Sequence, residues 1–137
     1  MAPTQDRRLG LLQGLLLIGG AYEMAMGLVM FFFIQGFFHL LGAPEPINYL
    51  IFPRAMGALA FCFGLLLLLS GRDPARYLLI PLVSILLRVL IQIPILIGCF
   101  EIPEIRLLLL AFGATDLSFV LLTGYAVRRA GLNWKNW

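Results

Sequence analysis

Four long apolar stretches, separated by short segments rich in glycine, proline and charge, constrain this chain more than any other feature. They cover residues 9–33, 48–70, 75–97 and 104–126. An α-helix of about 20 apolar residues crosses a hydrocarbon layer of about 30 Å, so each stretch is long enough to span a bilayer. Of the 137 residues 61% are hydrophobic and 12% charged, too few polar side chains to cover a soluble domain of this size. The pattern predicts an all-α integral membrane protein.

Short connections predict that neighbouring helices are antiparallel. Between the second and third spans, Gly71 can end one helix, Asp73 can cap the next and Pro74 can take its first position. Residues 98–103 make a second tight turn, after which Glu104 is well placed in the first turn of the fourth helix. We therefore expect residues 1–137 to form a single transmembrane four-helix bundle.

The first connection is longer and more apolar. Residues 35–46 include Phe37, Phe38 and His39 before a run of helix breakers that contains Pro44 and Pro46. We expect this segment to lie in the outer membrane interface.

Basic residues are concentrated on one side of the predicted membrane. Arg106 is the only basic residue beside the opposite loops, and the positive-inside rule therefore predicts that both termini are cytoplasmic. This distribution also accounts for the net charge of +3, and because no basic stripe with interleaved aromatics lies on a soluble face, we exclude nucleic acid as a partner. The seven basic residues on the predicted cytoplasmic side are Arg7, Arg8, Arg72, Arg76, Arg128, Arg129 and Lys135.

Four charged residues lie inside the spans and away from their ends, namely Glu23, Arg54, Arg88 and Asp116. Each would cost about 2.5 to 3.5 kcal/mol at a helix centre, so we expect them to face the bundle interior. Counted from the cytoplasmic ends, Glu23 and Arg54 lie about 21 and 24 Å deep, and Arg88 and Asp116 about 17 and 15 Å. Depth thus predicts two pairs, Glu23 with Arg54 and Arg88 with Asp116. If the second span begins near Pro53, Arg54 can instead extend to the headgroups.

Span three adds a polar stripe to this pattern. Ser84, Arg88 and Gln92 are spaced i, i+4 and i+8, which places them on one narrow face of the helix. Pro81 and Pro94 each free a carbonyl four residues earlier, which must find another partner inside the protein. Two interpretations stay open: the charges fix the register of the helices, or they line a path for a ligand or proton.

Motifs for catalysis are absent from the sequence. There is no cysteine pair at metal-ligand spacing, no His-Glu-x-x-His and no glycine-rich phosphate loop. We assign no catalytic residue, no metal site and no cofactor, and we do not expect an enzyme. His39 can in principle ligate a haem or chlorophyll axially, but its interfacial position favours an ordinary interfacial side chain. A bound lipid or pigment is the one group that the sequence leaves open.

Residues 19–126 resemble a family of small four-span bacterial membrane proteins, loosely DoxX-like. The resemblance is carried by the leucine-rich end of span two, which runs into residues 71–76, by the basic Arg88 in span three, and by residues 115–117 in span four. In that family the basic residue is usually lysine, and the acid follows Asn and precedes tryptophans, where this chain has Thr115, Ser118 and Phe119. The resemblance implies a four-helix bundle with a basic–acidic pair in a bacterial inner membrane, and it implies no activity.

Two functions from different classes remain. We favour a non-catalytic accessory subunit that packs within a larger bacterial membrane complex, because catalytic motifs are missing and the helix surfaces are apolar. The alternative is a small-molecule binding or transport protein that uses the intramembrane charges; since four spans enclose little volume, it would act as a homo-oligomer. Small residues at close-packing spacing suit either contacts within the bundle or self-association. They include Gly19, Gly27, Ala60 and Gly64.

The orientation can be tested by cysteine accessibility in intact cells. With both termini cytoplasmic, an impermeant thiol reagent should label a Glu45→Cys variant and should not label an Asn136→Cys variant. The unmodified chain, which carries Cys62 and Cys99, supplies the background. Labelling at position 136 with none at position 45 would reverse the predicted topology.

Overall fold

The structure is a computed structural model that describes residues 3–40 and 50–132, with side chains described from residue 9 onward. Its helices are α1 (Pro3–Phe32), α2 (Ile34–Leu40), α3 (Ile51–Arg72), α4 (Leu79–Leu90), α5 (Gln92–Glu101) and α6 (Arg106–Arg129), the last preceded by a 3-10 turn over Pro103–Ile105. Four segments are long and apolar enough to cross a membrane: Leu9–Phe32, Ile51–Arg72, Leu79–Glu101 and Pro103–Arg129. The predicted all-α, four-span bundle is confirmed.

The third span is divided into α4 and α5, with only Ile91 between them. Pro94 has no N–H to donate to the carbonyl of Leu90, so the regular hydrogen-bond ladder is interrupted one turn before it. At the same place, the side-chain Nε2 of Gln92 donates to the carbonyl oxygen of Arg88 at 3.0 Å. The break therefore lies directly beside the most polar residue of the span.

Glycines bring α1 and α3 into backbone contact. A Cβ atom added to Gly27 would lie 2.6 Å from both the carbonyl oxygen of Gly57 and the amide nitrogen of Phe61, and one added to Gly64 would lie 2.7 Å from the carbonyl oxygen of Gly20. No side chain fits at such distances, so the two helices pack along a seam that only glycine permits. This seam sets the register of α3 against α1.

The buried apolar core lies at the end of the bundle that carries the turn between α3 and α4. Ser70 is fully buried there, and its hydroxyl donates to the carbonyl oxygen of Leu67 at 2.9 Å. The members of this core are Leu12, Leu16, Leu67, Leu78, Ala126 and Val127, contributed by α1, α3, α6 and the residue before α4. Helices from all four spans therefore converge at this end.

Asp73 caps the turn that follows α3. Its carboxylate accepts a hydrogen bond from the backbone N–H of Arg76 at 3.2 Å, which is the geometry of a helix N-cap. The α-helix proper begins only at Leu79, because Pro81 cannot donate to Tyr77, whose carbonyl accepts from Ile80 instead at 3.0 Å. The predicted cap is thus present, but it caps a turn and not α4 itself.

At the opposite end, Arg106 closes the turn between α5 and α6. Its Nε donates to the carbonyl oxygen of Cys99 at 2.8 Å, so this basic residue satisfies a carbonyl in the last turn of α5. Of the predicted interfacial segment 35–46, residues 35–40 belong to α2, whose Phe37 ring lies 6.4 Å from that of Phe112. Residues 41–46 lie outside the described ranges.

Large apolar side chains face outward around the bundle. Leu107, Leu121 and Phe100 are 84%, 72% and 81% exposed, and each lies within a candidate membrane span. Apolar area on this scale is stable only against lipid or other apolar helices. The exterior therefore contacts the hydrocarbon of a bilayer.

The α1–α3 seam predicts a position-dependent response to alanine. Gly27→Ala forces the backbones of α1 and α3 apart and should destabilise the protein by about 1 to 3 kcal/mol. Gly14→Ala is the matched control in the same helix, because a Cβ there meets nothing within 4 Å, and it should be neutral or slightly stabilising. Thermal melts in one detergent compare the two. Equal melting temperatures would contradict the close contact.

Candidate functional site

Arg88, in the last turn of α4, is the most deeply buried charged residue among those whose side chains are described, with 3% of its surface exposed. Its Nη2 lies 2.6 Å from Oε1 of Glu23 on α1, and its Nη1 donates to Oδ1 of Asp116 on α6. The two carboxylates are themselves only 15% and 14% exposed. One guanidinium thus joins helices from three of the four spans.

An aromatic ring covers the guanidinium. The ring of Phe119, one turn after Asp116 on α6, has its centroid 4.7 Å from the guanidinium carbon of Arg88, a cation–π distance. Tyr22 stacks on Phe119 with 5.9 Å between the centroids. Gly19 borders the same ring and guanidinium, since a Cβ there would lie in ordinary van der Waals contact, 3.5 Å from Phe119 and 4.0 Å from Nη2 of Arg88.

The other two members of the predicted polar stripe flank Arg88. Ser84, one turn earlier, is buried, while Gln92, one turn later, is half-buried and donates to the Arg88 carbonyl oxygen. Gln92 also lies against α6, where a Cβ on Gly113 would be 2.9 Å from its Oε1. Ser84, Arg88 and Gln92 therefore share the inward face that their spacing predicts.

The contact between Arg88 and Asp116 is present as depth matching predicts, but the predicted pair of Glu23 with Arg54 is wrong. Glu23 binds Arg88, and Arg54 is exposed in the first turn of α3, from where its long side chain can reach headgroups. The glycine seam explains the error. A Cβ on Gly57, one turn after Arg54, would lie 2.8 Å from the amide of Phe31, so Arg54 is roughly 12 Å farther along the bundle axis than Glu23.

Three residues of the site were not identified from the sequence. Tyr22, Phe119 and Gly19 carry no formal charge, and Phe119 stood out only as a departure from a resembled pattern. Phe119 lies three residues after Asp116, which places both on the same face of α6. This spacing could have predicted an aromatic ring beside the charges. Thr115 and Ser118 stay outside the cluster, because their hydroxyls donate to carbonyl oxygens of their own helix at 2.9 and 2.8 Å.

We name Glu23, Arg88 and Asp116 the charge cluster. Its two carboxylates and one guanidinium leave one formal negative charge, and its ion pairs tie α1, α4 and α6 together. Within residues 3–40 and 50–132, no group of three or more His, Cys, Asp or Glu side chains could hold a metal ion. Chemically, the cluster can fix helix positions, and it can exchange a proton or bind a cation.

Neither a protein-family model, nor a curated protein, nor a solved structure matches this chain. Fold and site together therefore define a small four-span membrane protein with an internal charge cluster, and no family is identified.

The cluster predicts a specific pattern of rescue. Arg88→Leu should destabilise the bundle by about 3 to 5 kcal/mol, because it leaves buried carboxylates without a counter-charge. Adding Asp116→Leu should restore only part of this loss, since Glu23 stays orphaned, whereas the triple variant with Glu23→Leu should recover most of it.

Thermal melts in one detergent test this pattern. Arg54→Leu, which removes an exposed arginine from α3, is the control and should change stability by about 0.5 kcal/mol or less. Wild-type melting of Arg88→Leu, or full rescue by the double variant, would contradict the three-membered cluster.

Proposed function

We propose that this protein is a non-catalytic accessory or scaffold subunit that packs within a larger bacterial membrane complex. The observation that carries the proposal is that the buried charges are bound to one another. Both terminal nitrogens of Arg88 are engaged by Glu23 and Asp116, and Phe119 covers the guanidinium. Charges arranged in this way fix the positions of three helices, which suits a rigid building block.

The outer surface supports the same proposal. The helix faces that point away from the cluster carry large apolar side chains on every span. In a membrane such faces contact lipid or pack against the helices of a partner, and van der Waals fit decides between the two. A chain with charges fixed in its interior and large apolar side chains on its exterior is suited to packing against a partner.

The likeness of residues 71–76, Arg88 and residues 115–117 to DoxX-like proteins supports a bacterial inner membrane as the location. The distribution of basic residues supports cytoplasmic termini, with the α3–α4 turn on the same side. In this arrangement the apolar core formed around Leu12 and Leu67 lies at the cytoplasmic end of the bundle.

The alternative is small-molecule binding or transport with the charge cluster on the path. The uncompensated negative charge of the cluster favours it, because intramembrane ionisable groups often mark such paths. We rank it second because the guanidinium, the one positive group of the cluster, is sealed by its partners and is only 3% exposed. A ligand that reached it would first have to displace a carboxylate.

Photo-crosslinking from the lipid-facing surface tests the subunit proposal. A photoreactive amino acid is placed, one at a time, at Leu59, Leu86, Leu107 and Leu121, which are exposed on α3, α4 and α6, in cells that express the tagged chain at native level. A subunit should crosslink to one discrete protein from one face and to lipid from the others. Inward-facing Leu67 is the control position and should give no intermolecular product.

Purification in mild detergent from the same cells complements the crosslinks. The crosslinked protein should co-purify in a fixed ratio to the chain. A chain that runs alone and crosslinks only to lipid at all four positions would remove the subunit proposal. Crosslinks solely to further copies of itself, with a bound small molecule, would favour the alternative.

A further inference from the structure

We propose that the charge cluster is a proton-binding site, in which Glu23 and Asp116 together hold one exchangeable proton. The class of ligand is thus the proton itself, bound inside the membrane at a site shared by α1 and α6. This property is independent of whether the protein serves as a subunit.

The charge balance is the first step. Two carboxylates face one guanidinium, so the fully ionised cluster carries one uncompensated negative charge. An unpaired charge in an apolar interior is strongly unfavourable. Uptake of one proton removes that charge while the other carboxylate keeps its ion pair with Arg88.

No neighbouring element supplies a second positive charge among the described residues. On α1 the adjacent polar side chain is Tyr22, and on α5 it is Gln92; both are uncharged. From α3 the charged residues are Arg54, far along the axis, and Arg72, at the turn beyond the core. On α2, His39 is exposed in the last turn. On α6, Arg106 donates to the carbonyl oxygen of Cys99 at the start of the helix, and Arg128 and Arg129 lie in its last turn. The second carboxylate therefore has no counter-ion in residues 9–40 and 50–132.

Geometry provides a place for the proton. The ion pairs of Arg88 are with Oε1 of Glu23 and Oδ1 of Asp116, which leaves the second oxygen of each carboxylate to carry a hydrogen. The carboxylates are 15% and 14% exposed, against 3% for Arg88. The proton can therefore enter and leave at the edge of the cluster without disturbing the guanidinium at its centre.

The step is a simple protonation. A proton from solvent forms one O–H bond on a carboxylate oxygen, and the cluster changes from one net negative charge to zero. The folded bundle then holds one proton more than the unfolded chain, in which both carboxylates are solvated. Stability must consequently fall as the pH rises, because the folded state has more protons to lose.

Infrared spectroscopy of the purified full-length chain tests the site directly. Wild-type protein at neutral pH should show the carbonyl stretch of a protonated carboxylic acid. Glu23→Gln and Asp116→Asn should each abolish it, because either change leaves one carboxylate balanced by Arg88. Glu104→Gln, the same chemical change at an exposed acid outside the cluster, should leave the band intact.

Melting curves of the wild type provide a second readout, which does not depend on any cluster variant being folded. For one proton, the folded-to-unfolded ratio of the wild type should fall by up to about tenfold per pH unit between the titration point of the carboxylates in the unfolded chain and that of the site in the folded bundle, and it should level off at higher pH. Glu23→Gln should lack this dependence. A wild type with no protonated carboxyl band at neutral pH and no such loss of stability would overturn the proposal. The proposal would also be overturned if the loss of stability at higher pH were reversed when sodium replaces choline at constant ionic strength. In that case a metal cation, and not a proton, would balance the charge.

Discussion

A guanidinium in the hydrocarbon layer has to be met by carboxylates, and this requirement organises the bundle. Arg88 is almost completely buried, and it forms ion pairs with Glu23 and Asp116 on two other helices. Hydrophobic burial supplies no comparable force inside a bilayer, because lipid tails are as apolar as leucine. The positions of α1, α4 and α6 relative to one another therefore depend on one side chain and its two partners.

The remaining span is held by a different kind of contact. α3 adds no charge to the cluster and instead meets α1 backbone to backbone through Gly27, Gly57 and Gly64. Close approach of this kind gains dispersion energy over a long seam and excludes lipid from it. Ion pairs thus hold three helices together, and close packing at glycines holds two. Helix α1 takes part in both kinds of contact.

Much of this arrangement could be predicted from the sequence, for identifiable reasons. Apolar stretches of membrane-spanning length indicate the four spans, and the i, i+4, i+8 spacing of Ser84, Arg88 and Gln92 indicates the inward face. The short turn between the last two spans makes depth counting reliable, which is why Arg88 with Asp116 could be predicted. The partner of Glu23 could not, because depth counting assumes that spans far apart in the chain begin at the same level. The relative level of α1 and α3 is set by the glycine seam, and the sequence alone does not show which glycines of the two helices face each other.

The cluster also has a consequence for the order in which the protein is assembled. Spans that enter a membrane in sequence form a first hairpin of α1 and α3, which can close on its glycines but carries the acidic Glu23 with no base beside it. The second hairpin, of α4 with α5 and α6, brings Arg88 and Asp116 together and is electrically neutral at this level. Docking of the two hairpins then gives Glu23 its partner. A chain that stalls after two spans would expose an unmatched acid to lipid, so the first hairpin alone is less favourable in the bilayer than the same hairpin docked to the second.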